Sequence, residues 1–289
     1  MSTPVIEVEG LNLKYGDFHA VKDLSFEVRP GELYALLGTN GAGKTSTLET
    51  VEGHREATSG TVRVLGHSPR DRAAVRSRMG IMLQESGFSP DLTAGESVRL
   101  IGRLTRRTDD PGRVLDVVGL TRRAGTKVSQ LSGGEKRRLD FATAVYGTPE
   151  LIFLDEPTTG LDIQSRDALW ESVDRLRENG STIVLTTHYL EEAQQRADRI
   201  GLMHEGVLRR EGTVGELTRT LPSHIRFAAV PGSLPLAVTE DGPAFVVETF
   251  DLQKDLYVLL GWAQDHGVEL RDLSAGPTRL DDVFRAINA

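Results

Sequence analysis

Short apolar runs alternate with polar segments of helical spacing along most of this chain. Residues 5–13 place apolar and polar side chains in turn, which predicts a strand with one buried face. Residues 33–37, 151–154 and 182–186 are short and mostly apolar, which is typical of strands buried on both faces. Because such strands are separated by helical patterns, the sequence predicts an α/β fold with a largely parallel sheet.

The same periodicities predict further strands and helices between and after these strands. Additional strands are predicted at 24–28, 61–65, 79–84, 199–203 and 207–210. Helices are predicted at 46–51, 70–78, 93–104, 112–120, from the Leu131-Ser132 turn to about 146, 165–178 and 189–196. No apolar strand pattern occurs between residues 85 and 131, so this part is predicted to be a helical insert, at about 86–145, with a basic exposed surface.

The composition changes near Leu221-Pro222, and this change suggests two domains. We predict a main domain over residues 1–220 and a small α+β appendix over 221–289. Within the appendix, strands are predicted at 225–230 and 245–249 and helices at 252–266 and 280–287. An appendix of this size is at the low end of what folds alone, so it is expected to lean on the main domain or on a second copy.

Composition narrows the function classes. Of the 289 residues, 38% are apolar and 26% charged, as in ordinary soluble globular proteins. The net charge of -8 argues against a dedicated nucleic-acid binder, and the lack of cysteine excludes disulfides and thiolate metal sites. No stretch approaches the roughly 18 consecutive apolar residues of a spanning helix, and the first residues lack a signal-peptide pattern. Any membrane role is therefore expected to require a partner chain.

A glycine-rich loop between strand 33–37 and the following helix matches the phosphate-loop pattern GxxxxGK[ST]. Its glycines let backbone amides close on an anion, and the helix N-terminus adds donors and partial positive charge. Lys44 is predicted to reach the outer phosphates, and the Thr45 hydroxyl to bind Mg²⁺. The chain is therefore predicted to bind a nucleoside triphosphate. The loop and the residue after it are Gly38, Thr39, Asn40, Gly41, Ala42, Gly43, Lys44, Thr45 and Ser46.

Polar residues follow the carboxyl ends of other predicted strands, where ligands collect in parallel sheets. Asp155 is placed to hold Mg²⁺, Glu156 to polarise an attacking water, and Gln84 to contact both water and metal. His188 is placed to orient the water or touch the γ-phosphate. A single histidine after a strand is commonly structural, but the combination with the phosphate loop favours a shared catalytic site.

Leu131-Ser132-Gly133-Gly134 resembles the signature motif of ATP-binding-cassette (ABC) ATPases, and its order after Gln84 and before Asp155 is that of the family. The resemblance covers residues 5 to about 220. It implies a head-to-tail homodimer in which each ATP lies between one copy's phosphate loop and the other's signature motif. Since Ser132 opens a helix, that helix N-terminus is a second anion site that acts across the dimer.

The resemblance also implies roles for individual residues. Tyr15 matches the aromatic that stacks on adenine, and Asp162 matches the D-loop aspartate. Gln84, Glu156 and His188 match the lid glutamine, the catalytic carboxylate and the switch histidine. The implied cofactors are ATP and Mg²⁺.

Two positions depart from the family pattern. Glu135 stands where the signature usually has glutamine; an ionised carboxylate cannot donate a hydrogen bond, which puts the tightness of the ATP-closed dimer in question. Thr39 replaces a frequent proline in the phosphate loop, and little consequence is expected because a backbone amide is restored.

Residues 276–284 are similar to the ending of drug-resistance-type exporter ATPases, or else form an ordinary amphipathic closing helix. The first hypothesis is a motor at the cytoplasmic face of the membrane that powers a separate permease exporting a drug-like or hydrophobic compound. The second is a soluble ABC ATPase that remodels DNA or ribosome complexes. The role of the appendix stays open between dimer stabilisation, regulation and permease binding.

Overall fold

The computed structural model describes residues 3–83 and 87–288. Two compact units, Met1–Glu211 and Gly212–Ala289, divide earlier in the chain than the change in composition. The strands are β1 (Ile6–Tyr15), β2 (Phe18–Val28), β3 (Leu33–Gly38), β4 (Ser59–Val64), β5 (Met79–Met82), β6 (Leu151–Asp155), β7 (Thr182–Thr186), β8 (Arg199–His204), β9 (Val207–Gly212), β10 (Ser223–Ala228), β11 (Thr239–Asp241), β12 (Ala244–Thr249) and β13 (Ser274–Gly276).

The predicted helices are present to within a few residues, apart from the one at 70–78, which is much shorter, and the short helix at 214–218 was not predicted. The helices are α1 (Lys44–Val51), α2 (Arg72–Val75), α3 (Ala94–Thr105), α4 (Pro111–Val117), α5 (Gly133–Val145), α6 (Ile163–Glu178), α7 (Leu190–Arg196), α8 (Val214–Thr218), α9 (Leu252–His266) and α10 (Leu280–Asn288). Among the residues described, none of these helices is long and apolar enough to span a bilayer.

A six-stranded sheet in the order β5-β6-β7-β3-β8-β9 forms the centre of the first unit. The pairs β5-β6, β6-β7, β7-β3 and β3-β8 are all parallel. Every side chain from Leu151 to Leu154 is fully buried, as the continuous apolar pattern predicted. The carboxyl ends of β3, β6 and β7 consequently lie at one edge of the sheet. This confirms the predicted, largely parallel core.

A three-stranded antiparallel sheet, in the order β2-β1-β4, forms a second layer of the same unit. The alternation in β1 holds, because Ile6, Val8, Leu11 and Leu13 are buried. Their partly polar neighbours explain why the sequence reads as a half-buried strand. The fold class is therefore confirmed, including the antiparallel β subdomain and a helical insert that contains α3, α4 and α5.

Several predicted boundaries were wrong. Strand β2 begins at Phe18 rather than residue 24, because Tyr15 pairs with Phe18 and the intervening Gly16 belongs to a hairpin turn. The first half of β2 lacks a regular apolar–polar alternation, and this concealed the pairing. The helix predicted at 70–78 is reduced to the short α2, and β5 ends at Met82 rather than residue 84.

The second unit is built on an antiparallel sheet in the order β11-β12-β10-β13. Its core consists of Ile225, Phe227 and Val247 from the sheet with Leu259 from α9. The predicted 252–266 helix is confirmed at both ends, whereas the short strands β11 and β13 were missed. Three-residue strands carry too little periodicity to be detected from sequence.

Gly80 of β5 allows the helix α5 to pack directly on the central sheet. A Cβ atom at this position would overlap the carbonyl oxygen of Ala144, near the end of α5. Since α5 begins beside Ser132 and β5 leads toward the segment containing Gln84, this close approach fixes the predicted signature helix against the strand. A backbone atom cannot move aside as a flexible side chain can.

We predict that Gly80→Ala lowers the free energy of unfolding by about 1–3 kcal/mol, because the added methyl group overpacks the strand–helix contact. Urea denaturation followed by far-UV circular dichroism measures this change. Gly125→Ala is the matched control, since a Cβ there meets no atom within 4 Å. Its effect should stay within about 0.5 kcal/mol. Equal stability of the two variants would contradict the close packing assigned to Gly80.

Candidate nucleotide-binding and hydrolysis site

The loop between β3 and α1 has the backbone shape that a phosphate cradle needs. Gly43 precedes α1 in a left-handed conformation with φ 97°. A Cβ at this position would lie 2.7 Å from the carbonyl oxygen of Ala20. Glycine is therefore required both by the conformation and by the space, which gives a physical reason for its place in the predicted pattern.

Lys44 lies folded across the phosphate loop rather than extended into solvent. Its Nζ donates hydrogen bonds to the carbonyl oxygens of Gly38 at 2.7 Å and Thr39 at 3.1 Å. Burial lowers the pKa of Lys44, and the nearby carboxylates of Glu156 and Asp155 oppose that shift. The ammonium group is thus held by backbone carbonyls at the place where a negatively charged ligand would meet it.

Asp155 ends β6 beside Thr186, the last residue of β7, and the two are direct partners across the parallel strands. The Thr186 hydroxyl donates a hydrogen bond to Asp155 Oδ1. Burial raises the pKa of Asp155, while this hydrogen bond lowers it. The Thr186 hydroxyl on the neighbouring strand therefore orients the Asp155 carboxylate. The sequence predicted both strands but not this hydrogen bond.

Glu156 has φ 47°, a left-handed conformation that is uncommon for a residue with a side chain. Its amide donates to the Thr186 carbonyl at 2.9 Å. Its carboxylate Oε1 lies 3.1 Å from His188 Nδ1, and the Thr159 hydroxyl lies 3.4 Å from Oε2. The structure thus brings together Glu156 and His188, two residues that sequence analysis proposed from different strand ends.

Lys44, Asp155 and Glu156 line one cleft of ≈ 450 Å³, and His188 contacts Glu156 from outside this lining. The cleft is bounded on one side by the phosphate loop and on the other by the end of β6. The predicted site residues that line it are Tyr15, Asn40, Gly41, Ala42, Gly43, Lys44, Thr45, Ser46, Asp155 and Glu156. An ammonium, a hydroxyl and carboxylates around a glycine cradle fit a triphosphate with Mg²⁺, since hard cations prefer oxygen ligands. Gln84, predicted to contact water and metal, lies outside the described residues.

Tyr15 borders the cleft and is held at two points. Its hydroxyl is 2.8 Å from the Ser46 hydroxyl, and the Arg55 guanidinium lies 4.2 Å from the ring centroid. Arg55 was not identified from the sequence. One face of the ring is therefore covered, and the stacking of Tyr15 on adenine stays a prediction for the other face.

Ser132 caps α5 through a reciprocal pair of hydrogen bonds. Its hydroxyl accepts from the Glu135 amide at 3.2 Å, and Glu135 Oε2 accepts from the Ser132 amide at 2.8 Å. Arg123 Nε donates to the other carboxylate oxygen at 2.8 Å. The Ser132 amide, with help from Arg123, holds the pKa of Glu135 below its usual value. The carboxylate thus turns back onto its own helix, a contact within the chain that the sequence did not predict.

Asp162 has a similar role at the start of α6. Its carboxylate accepts hydrogen bonds from the Ser165 amide at 2.8 Å and the Ser165 hydroxyl at 2.9 Å. A Cβ on Gly134 would lie 3.7 Å from the Gly160 carbonyl oxygen. The Gly133-Gly134 turn and the segment before Asp162 are therefore neighbours within one chain.

Comparison with known proteins agrees with this geometry. Residues 21–159 match the family model described as ABC transporter, and residues 216–278 match one described as ABC transporter domain-containing protein-like, C-terminal domain. The daunorubicin/doxorubicin resistance ATP-binding protein of Streptomyces peucetius is 34% identical over 99% of this chain and 92% of its own length. The linearmycin resistance ATP-binding protein of Bacillus subtilis is 37% identical over 75% and 72%, respectively.

Solved structures show the same relationship. The ATP-binding subunit of an ABC transporter superposes with a TM-score of 0.70 at 27% identity, covering 75% of this chain and 92% of that one. A dimeric ATP-binding cassette in a post-hydrolysis state, bound to ADP and Pi, gives 0.65 at 26% identity, covering 72% and 98%. The chain therefore belongs to the ATP-binding subunits of ABC transporters, a family whose cassette binds and hydrolyses ATP.

Proposed function

We propose that this chain hydrolyses ATP to power a separate membrane permease that exports a drug-like, antibiotic or other hydrophobic compound. The observation that carries this proposal is the 3.1 Å contact between Glu156 and His188 beside the cleft that also holds Lys44 and Asp155. A carboxylate base and an imidazole next to an anion cradle are the groups that phosphoanhydride hydrolysis requires.

The phosphate loop is proposed to bind the triphosphate through its backbone amides, with Lys44 exchanging carbonyl contacts for phosphate oxygens. Tyr15 is proposed to pack against adenine with the ring face that Arg55 leaves available. Thr45 and Asp155, together with Gln84, are the proposed Mg²⁺ ligands. Mg²⁺ supplies neutralisation of the charge on the phosphate oxygens.

Glu156 is proposed to accept a proton from water as the water oxygen bonds to the γ-phosphorus. The bond from that phosphorus to the bridging oxygen breaks, and ADP leaves with the electron pair. His188, already within 3.1 Å of the Glu156 carboxylate, is proposed to orient the water or contact the γ-phosphate. Both residues are present, which argues against a sensor that binds ATP without hydrolysing it.

Two copies are proposed to assemble head to tail around the nucleotides. The motif Ser132, Gly133, Gly134 and Glu135 opens a 13-residue helix, and its capped N-terminus is suited to face the partner's triphosphate. Asp162 is proposed to lie at the same interface, because its segment adjoins Gly134. The dimeric cassette among the structural relatives supports this arrangement.

A groove in the first unit is the proposed contact with the permease. It has a volume of ≈ 240 Å³ and combines apolar Ile81, Leu83 and Ile101 with basic Arg72 and Arg76. This lining suits an amphipathic helix that carries acidic residues. The cassette would then act at the cytoplasmic face of the membrane, held there by the permease.

The names of relatives favour export over the remodelling of DNA or ribosomes. They include daunorubicin/doxorubicin resistance, linearmycin resistance, and Nod factor export in Ralstonia nicotianae, the last at 39% identity over 75% of this chain and 69% of its own length. The negative net charge points the same way.

We predict that Glu156→Gln lowers the kcat of Mg-ATP hydrolysis about 100-fold or more, because the amide cannot accept the proton from water. Its ATP affinity should stay within about threefold, and gel filtration with ATP should show a trapped dimer. Lys44→Ala is the contrasting variant and should weaken ATP binding about tenfold or more through the loss of a charge-assisted contact. Unchanged turnover in Glu156→Gln would remove its assigned role, and normal binding in Lys44→Ala would contradict the loop assignment.

We predict that the tagged chain, purified from gently solubilised membranes, retains a permease with about six predicted spanning helices. Leu83→Asp should abolish this recovery while leaving ATP hydrolysis in solution intact, because it places a negative charge in the proposed docking groove. Leu100→Asp is the matched control, since Leu83 and Leu100 are similarly exposed, at 49% and 44%, and only Leu83 lines the groove. Mass spectrometry identifies what is recovered. Recovery of ribosomes or DNA in place of a permease would contradict the transport proposal.

A further inference from the structure

One buried arginine in α5 contacts the backbone of two neighbouring strand ends. Arg137 is 7% exposed. Its NH1 group donates to the carbonyl oxygen of Leu83 at 2.7 Å, just after β5. Its NH2 group donates to the carbonyl of Glu156 at 2.7 Å and also to that of Asp155, at the end of β6. None of the roles described above uses this side chain.

The chemistry of the guanidinium group explains why arginine suits this position. Burial lowers the pKa of Arg137, yet an arginine keeps its charge in proteins. A planar group with several fixed donors can bond to three carbonyl oxygens at once, whereas a lysine is a flexible point charge. Arg137 therefore holds these carbonyls in one fixed arrangement.

That arrangement includes the strained residue of the site. Glu156 has φ 47°, a conformation that persists only when the surroundings impose it. Three hydrogen bonds hold its backbone: its amide donates to the Thr186 carbonyl at 2.9 Å, and its carbonyl accepts from Arg137 at 2.7 Å and from the Thr159 amide at 3.2 Å. With the backbone fixed at both ends, the carboxylate lies 3.1 Å from His188.

We propose that Arg137 is a positioning residue for hydrolysis, acting by fixing the left-handed turn that aims the Glu156 carboxylate. This inference rests on the proposed function of Glu156 as the base. Since Ser132 caps the helix that carries Arg137, the same side chain joins the signature end of α5 to the hydrolytic carboxylate of its own chain. The hydrogen bonds of Lys44 to Gly38 and Thr39 at the phosphate loop do not involve Arg137, so we expect the loss of Arg137 to change ATP affinity less than kcat.

Arg107 offers a matched control at the other end of α5. It is also buried, at 9% exposed, and burial lowers its pKa to about 10. Its guanidinium donates to the carbonyls of Ala144 at 2.8 Å and Thr143 at 3.1 Å, in the last turn of the helix. Arg107 is thus also a buried guanidinium that donates to backbone carbonyls, but its acceptors lie in α5 at the end away from Ser132.

The test compares Arg137→Lys with Arg107→Lys in the full-length protein. We expect Arg137→Lys to lower kcat about 10–100-fold, because a small misplacement of a catalytic group has effects of this size, with ATP affinity within about threefold. We expect the two variants to lower the melting temperature by similar amounts. Arg107→Lys should nevertheless keep kcat within about threefold of the wild-type value. The split between kcat and ATP affinity distinguishes positioning from general loss of structure.

Arg137→Gln, which keeps donors but loses the charge and the fork, is the second variant. The inference is overturned if folded Arg137→Lys keeps the wild-type kcat, or if Arg107→Lys loses kcat equally. It is also overturned if both Arg137 variants fail to fold while Arg107→Lys folds, since Arg137 would then be purely structural. Wild type and Glu156→Gln are measured in parallel: turnover that does not depend on Glu156 refutes the proposed function, whatever Arg137 does.

Discussion

Charged groups at the edge of the central sheet are partly or fully buried, and hydrogen bonds to backbone atoms and neighbouring hydroxyls stabilise them there. The carboxyl ends of β3, β6 and β7 meet at this edge, and the strands behind them are buried on both faces. A charge in such a place is costly unless it is paired or hydrogen-bonded. Lys44 is held by two loop carbonyls, Asp155 by the Thr186 hydroxyl, and Arg137 by three carbonyls. These contacts fix the site before any ligand arrives.

Helix α5 connects the parts of this arrangement. Its N-terminus is closed by the Ser132–Glu135 hydrogen bonds and the Glu135–Arg123 ion pair, and Arg137 in its second turn reaches the ends of β5 and β6. At its C-terminal end it lies against Gly80, where only a residue without a side chain fits. The helix therefore contacts the central sheet both near its start, through Arg137, and at its end, beside Gly80.

Several parts of the site could be predicted because their signals are local. The phosphate loop follows from glycine spacing between a strand and a helix, and Asp155 and Glu156 follow from an apolar run that ends on two carboxylates. The partners of these residues could not be predicted. Arg123 and Arg137 are two among 34 lysines and arginines, and no local pattern separates a buried arginine from a solvated one. Likewise, Thr186 is an ordinary strand residue until register places it opposite Asp155.

Apolar periodicity and residues adjacent in the chain were enough to predict the class of fold, the phosphate-loop motif and the order of the motifs. The contacts between the site residues became visible only in the folded chain. The tertiary structure turned Glu135 toward Ser132 and Arg123, covered one face of Tyr15 with Arg55, and gave Glu156 its left-handed backbone. The physical reason is that hydrogen bonds and ion pairs act over a few ångströms, and such distances between residues remote in sequence exist only after the strands have paired.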